Sequence, residues 1–106
     1  MKIKISNNDG YFFEETMNLI YITAEGSYST IFLRDGRKII VSYSLKKIQV
    51  ALKDYHFLRI SRSVIINIHC VAYIDKKTLS CYVETGQNKI ALSVSKCVYE
   101  KLNLNL

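Results

Sequence analysis

Short runs rich in Ile, Val, Tyr, Phe and Thr follow one another along the chain, mostly with the period of two that a strand's alternating faces impose. They read KIKI, YFFEE, LIYITAE, YSTIFLR, RKIIVS, FLRIS, VIINI, VAYIDKKT, LSCYVET and KIALSV. Turn-forming clusters punctuate them: SNNDG at 6–10, RDG at 34–36 and ETGQN at 84–88. About ten short strands with close turns predict a mostly β domain built of small antiparallel sheets. Two segments leave the period of two. In 44–54, Leu45, Ile48 and Leu52 recur at helical spacing behind Ser44 as N-cap, and the other face carries Lys46, Lys47 and Lys53. In 95–104, Val98, Tyr99 and Leu102 fall on one side behind a Ser95 cap. Both are expected to be short helices that close the ends of the β core.

One stretch resists a simple strand reading. In FLRISRSVIIN (57–67), alternation puts Phe57, Arg59, Ser61 and Ser63 on one face. Leu58, Ile60, Val64 and Ile66 share the other, and Arg62 falls among them. A lone arginine on an apolar face is costly to bury without a partner. The pattern therefore predicts two short strands, FLRI and VIIN, with a bend at Ser61–Ser63 that releases Arg62.

Composition narrows the setting. At 106 residues with no proline, repeat or low-complexity stretch, the chain is expected to be one domain spanning 1–106. Hydrophobic residues make up 49%, too many for intrinsic disorder. No apolar run approaches the ~20 residues of a membrane span, and the start MKIKISNNDG lacks a signal-peptide core, so a cytoplasmic protein is expected. Cys70, Cys81 and Cys97 suit neither a disulfide framework nor a zinc knuckle and read as small buried hydrophobes. Charge is more telling. Between Gly36 and Ile74 the basic residues are Arg37, Lys38, Lys46, Lys47, Lys53, Arg59 and Arg62, against Asp54 alone. That stretch carries the whole net charge of +6, the footprint of a polyanion binder, although a solvated charged face has the same composition.

No catalytic signature is present: no G-x-S-x-G elbow, no phosphate-cradling glycine loop, no H-E-x-x-H. Glu14 and Glu15 are adjacent, so a strand would send them to opposite faces, away from shared acid–base work. The chain is expected to be no enzyme and to need no metal or cofactor. Binding chemistry is better represented. Arg34, Arg37, Arg59 and Arg62 offer planar forks that match phosphate and the major-groove edge of guanine. Ser61, Ser63 and Asn67 offer hydrogen bonds, with Asn67 at a strand end expected to bond backbone in preference to a base. Arg59 can equally be an outward strand residue, and Tyr28 a core residue. Aromatics alternate with aliphatics and form no exposed stacking row, which favours duplex DNA over RNA. A non-catalytic basic β module for RNA or a protein partner is the alternative.

Three stretches converge on one family: LIYITAEGSYSTIFLRDGRKIIVSYSLKKIQVAL, FLRISRSVIINIHCVAYID and KIALSVSKCVYEKL. They follow the pattern Y-I-x-A-x-G-x-Y, a D-G hairpin, S-x-S-L-K, F-x-R-I-x-R-S-x-I-V-N and V-S-R-R-x-x-x-x-L. From about Met17 to Leu102, the chain resembles the LytTR-type DNA-binding domain of bacterial transcription regulators. The resemblance implies about ten short strands in small antiparallel sheets with one or two short helices. It implies loops inserted into successive major grooves of double-stranded promoter DNA at direct repeats, with two molecules per site. It further implies either a stand-alone regulator or the output domain of a response regulator, joined to a receiver domain in a two-component system. By position, base contacts fall to Ser29, Arg62 and Lys96, with Ser27, Tyr28, Lys46, Lys47, Arg59, Ser61, Ser63, Asn67 and Ser95 on the DNA backbone or in support. The third site departs from the family, reading VSKC where V-S-R-R is usual. Lysine keeps the charge but loses the fork, and Cys97 removes a second cation.

Overall fold

A computed structural model describes residues 1–86 and 88–101. Its ten strands form three antiparallel sheets, and all ten predicted strands are present. β1 (Lys2–Asn7) and β2 (Gly10–Glu15) make a hairpin. The central sheet has five strands: β3 (Leu19–Glu25), β4 (Tyr28–Leu33), β5 (Lys38–Val41), β6 (Phe57–Ser61) and β7 (Val64–Asn67), in the order β5-β4-β3-β7-β6. The third sheet runs β10-β9-β8, from β8 (Val71–Asp75), β9 (Ser80–Glu84) and β10 (Lys89–Ser93). Single 3-10 turns at Thr16–Asn18 and Ile68–Cys70 join sheets.

The two predicted helices are α1 (Leu45–Ala51) and α2 (Lys96–Lys101). Ser44 caps α1 by accepting from Lys47 N at 3.2 Å, and Ser95 accepts from Val98 N at 3.2 Å. Leu45, Ile48 and Leu52 are buried as their spacing requires. Leu102, the predicted helical residues 103–104 and Gln87 of the ETGQN turn lie outside the described residues. Among the described residues no helix is long and apolar enough to cross a membrane.

The central sheet separates two cores. One face packs Leu19, Ile22, Ile31, Ile39, Val41 and Ile65 against α1 and the β1–β2 hairpin. The other packs Tyr21, Ile66 and Ile60 against Cys81, Val83 and Val94 of the third sheet and its end. Strict alternation cannot supply both, because Ile20 and Tyr21 are neighbours yet share the second core. A register shift between Leu19 and Tyr21 resolves this, since a bulge sets two successive residues against one. Asn67 braces the same place: its Nδ2 donates to Leu19 O at 2.9 Å, and its Oδ1 accepts from His69 N at 3.0 Å. At 2% exposure it works inside the protein, as expected of a strand-end asparagine, and reaches no phosphate.

One cysteine departs from expectation. Cys70 and Cys81 are buried, and burial pushes both thiols up from their ordinary pKa, but Cys97 is exposed on the first turn of α2. The stripe of Val98 and Tyr99 faces the core there and leaves position 97 outward.

Candidate nucleic-acid interface

The bend at Ser61–Ser63 is a hairpin turn. β6 and β7 pair antiparallel with Ser61 opposite Val64, so Arg62 and Ser63 are the two turn residues. Neither has a positive φ, so the turn is not the twist-matched I′ type. A register shift between Arg59 and Ser61 makes up the geometry by leaving Ile60 unpaired in the ladder and buried in the second core. That extra residue also resolves the parity conflict. Arg62 sits beyond the ladder, at the tip, and is exposed.

Side chains hold the tip. Arg59 donates from Nη2 to Arg62 O at 2.6 Å and from Nε to Ser61 O at 3.3 Å. Its Nη1 reaches Gln49 Oε1 on α1 at 3.4 Å. Ser63 N donates to Ser61 Oγ at 3.3 Å. Arg59 is thus half-buried and engaged by its own chain, not a bare outward charge.

Arg34 and Arg37 are engaged as well. Arg34 donates from Nε to Met17 O at 2.7 Å and from Nη2 to Cys70 Sγ at 3.2 Å. Arg37 forms ion pairs with Asp35 at 2.7 Å and with Glu14 at 2.9 Å. Hydrogen bonds to Glu14 and then to Asp35 raise the Arg37 pKa above its ordinary range. The backbone and side chain of Arg37 in turn hold the Asp35 carboxyl below its ordinary value. Among the described residues, Arg62 is the one arginine whose guanidinium has neither a hydrogen bond nor an ion pair.

Two backbone bonds bring other segments to this tip. Ala24 N donates to Ser63 O at 2.9 Å, which continues the β3–β7 pairing past Thr23 and Val64. The β3–β4 turn at Gly26–Ser27 therefore lies beside Arg62. Gly26 has φ +62°, the positive value that a II′ hairpin demands at its first turn position. On the other side, Ser95 N donates to the carbonyl of bulged Ile60 at 2.8 Å. Lys96 follows directly, exposed at the start of α2. Three segments distant in sequence thus share one edge of the molecule.

Ser29 requires a correction. It is 1% exposed, and its hydroxyl donates to Tyr43 O at 2.7 Å. In β4 it faces inward, so it fixes the strand to the loop before α1 and presents nothing to a groove. The outward residues there are Ser27 and Tyr28, and Tyr28 is 56% exposed, which excludes its core reading. Lys46 and Lys47 are exposed on α1, with Lys47 Nζ 4.4 Å from the centre of the Tyr43 ring. Gln49 was missed in the sequence. It stands on the polar side of α1, but nothing local says that this side meets Arg59. His56 and His69 face each other at 2.9 Å, and among the described residues no group of three His, Cys, Asp or Glu side chains could hold a metal.

The family model of the LytTr DNA-binding domain matches residues 9–106 of this chain. The chain belongs to that family. The match covers the 17–102 stretch of resemblance and extends past it at both ends. A solved LytTr DNA-binding domain from Bacillus cereus, assigned by name to a methyl-accepting/DNA response regulator, has the same fold. It superposes with a TM-score of 0.68 at 20% identity, covering 94% of this chain and 93% of that one. No curated protein matches the chain. A LytTr domain is a DNA-binding unit, not a catalytic one.

Proposed function

We propose that this LytTr domain reads a specific duplex sequence by setting Arg62 into the major groove. The observation that carries the reading is the Arg62 tip: a guanidinium unpaired among the described residues, on a hairpin braced from within and flanked by two loops. An unpaired planar fork can bond guanine O6 and N7 together. Ser27 and Tyr28 on one side and Lys96 on the other reach the adjoining bases or backbone. Ser29 serves from beneath by holding its strand. Ser61, Ser63 and Ser95 shape the tip and its neighbour, and Ser63 and Ser61 lie near enough to the surface to meet phosphate. Lys46 and Lys47 meet the phosphate backbone. Two molecules occupy a promoter direct repeat, in the cytoplasm of a bacterium, as a stand-alone regulator or as the output of a response regulator with a receiver domain.

Selection of bound duplexes from a random pool, followed by titration of the selected site, tests the reading. Enrichment of a guanine-containing repeat supports it, and no enrichment over the starting pool overturns it. Exposed Tyr28 beside a basic tip also suits stacking on an unpaired base, the mark of an RNA binder. Tighter binding to single-stranded RNA than to the selected duplex would favour that alternative.

A further inference from the structure

We infer that Arg59 is a positioning residue, which sets the direction of Arg62 by clamping the turn backbone and does not itself contact phosphate. The inference rests on the DNA reading above and deepens it. An arginine in a basic stretch next to a DNA-reading residue is ordinarily assigned to the phosphate backbone, since a guanidinium fork fits two phosphate oxygens. Here the side-on edge of the fork is occupied. Nε and Nη2, the pair that lies along one edge of the guanidinium, are the atoms bonded to Ser61 O and Arg62 O. The third nitrogen is turned to Gln49 Oε1 of α1.

The turn needs such a clamp for a reason local to this hairpin. A two-residue turn without positive φ does not follow the twist of its strands. The Ile60 bulge absorbs the mismatch, but it spends the Ile60 carbonyl on Ser95 instead of on β7. Ser61 still closes the ladder opposite Val64, but the Arg62 carbonyl lies beyond it, and Arg59 is its partner among the described residues. One planar side chain that spans both carbonyls fixes the peptide planes on either side of the Arg62 Cα. It therefore limits the directions in which the Arg62 side chain can leave. A lysine ammonium is a compact point charge without a rigid planar fork, so it cannot fix the two peptide planes in the same way. Through Gln49 the clamp also ties the tip to α1, the helix that carries Lys46 and Lys47.

Arg59→Lys separates the two roles, because it keeps the charge and removes the fork. Affinities of the wild type, Arg59→Lys and Arg59→Gln are measured for the selected duplex and for a scrambled one across a salt series. A clamp predicts that Arg59→Lys binds the scrambled duplex like the wild type and loses about tenfold on the selected one, toward the low end of a bidentate contact's discrimination. It also predicts that the salt slope of Arg59→Gln stays near that of the wild type. A phosphate contact predicts an unchanged ratio of selected to scrambled binding in Arg59→Lys, with a slope shallower by about 0.9 in Arg59→Gln, and that result overturns the inference. The free protein supplies a test independent of DNA. Backbone 15N order parameters at Arg62 and Ser63 are expected to fall in Arg59→Lys from about 0.85 toward 0.6. If they do not change, the clamp is wrong even where DNA binding holds. If they fall while the wild type shows no duplex preference, the clamp stands and the DNA reading fails.

Discussion

Two hairpins of the central sheet carry all four arginines, and they use them in opposite ways. In the β4–β5 hairpin, Arg34 and Arg37 close on Met17 O, Cys70 Sγ and Glu14 of neighbouring segments and on Asp35 of the same turn. In the β6–β7 hairpin, Arg59 turns back onto the turn itself, and the Arg62 guanidinium has no partner among the described residues. The difference lies in the surroundings, not in the residue type. Asp35 sits two positions from Arg37, and Glu14, whose own side chain is only 10% exposed, arrives from the β1–β2 hairpin. No carboxylate lies within six positions of Arg62 in sequence. A cluster of arginines therefore says little about binding until their intramolecular partners are known.

The comparison is broken most directly at its one unpaired member. Arg62→Ala is expected to weaken binding to the selected duplex by about 1–3 kcal/mol while the melting temperature stays that of the wild type. An unchanged affinity, or a melting point several degrees lower, would put Arg62 with the structural arginines. Arg34→Ala should do the reverse. Loss of its bonds to Met17 O and Cys70 Sγ is expected to lower unfolding free energy by about 1–2 kcal/mol in urea titrations, with duplex affinity of the folded protein unchanged.

The Arg37 ion pairs should be worth less, because Arg37 is half exposed and exposed pairs contribute little. Glu14→Gln is expected to cost about 1 kcal/mol or less of stability and no DNA affinity. The same hairpin should show itself in acid. The folded Asp35 carboxyl lies below its ordinary value, so its stabilisation is present above the unfolded carboxylate pKa of about 3.9. It is lost as pH falls through the lower, folded value. Arg37→Gln should flatten that part of the stability–pH curve, measured by chemical denaturation between neutral pH and pH 3.

The smallest change is a slope. Replacing Lys46 or Lys47 with Gln should reduce the dependence of log affinity on log salt by up to about 0.9 each, equally for selected and scrambled duplexes. A loss confined to the selected sequence would mean that α1 reads bases.

The alternation of apolar and polar positions was enough to locate every strand, because that signal is carried within each run of a few residues and depends on no distant partner. Helix caps at Ser44 and Ser95 are equally local and were legible for the same reason. The family pattern around FLRISRSVIIN likewise pointed to Arg62 at a bend. What alternation could not show was where it would fail. The bulges at Ile20 and Ile60 depend on which strand lies opposite, and a single extra residue moves a side chain to the other face. Ser29 illustrates the cost: aligned near a contact position, it points inward to Tyr43 O once β4 and the loop before α1 are packed.

By itself, then, the amino-acid order determined the elements, their caps, the family and the basic middle of the chain. Only the tertiary structure decided which cations remain available. Hydrogen-bond partners of long side chains are set by contacts across tens of residues, such as Arg34 with Cys70 and Arg37 with Glu14. Those contacts exist only after three sheets have packed, and they leave one guanidinium, that of Arg62, without a hydrogen bond or ion pair among the described residues.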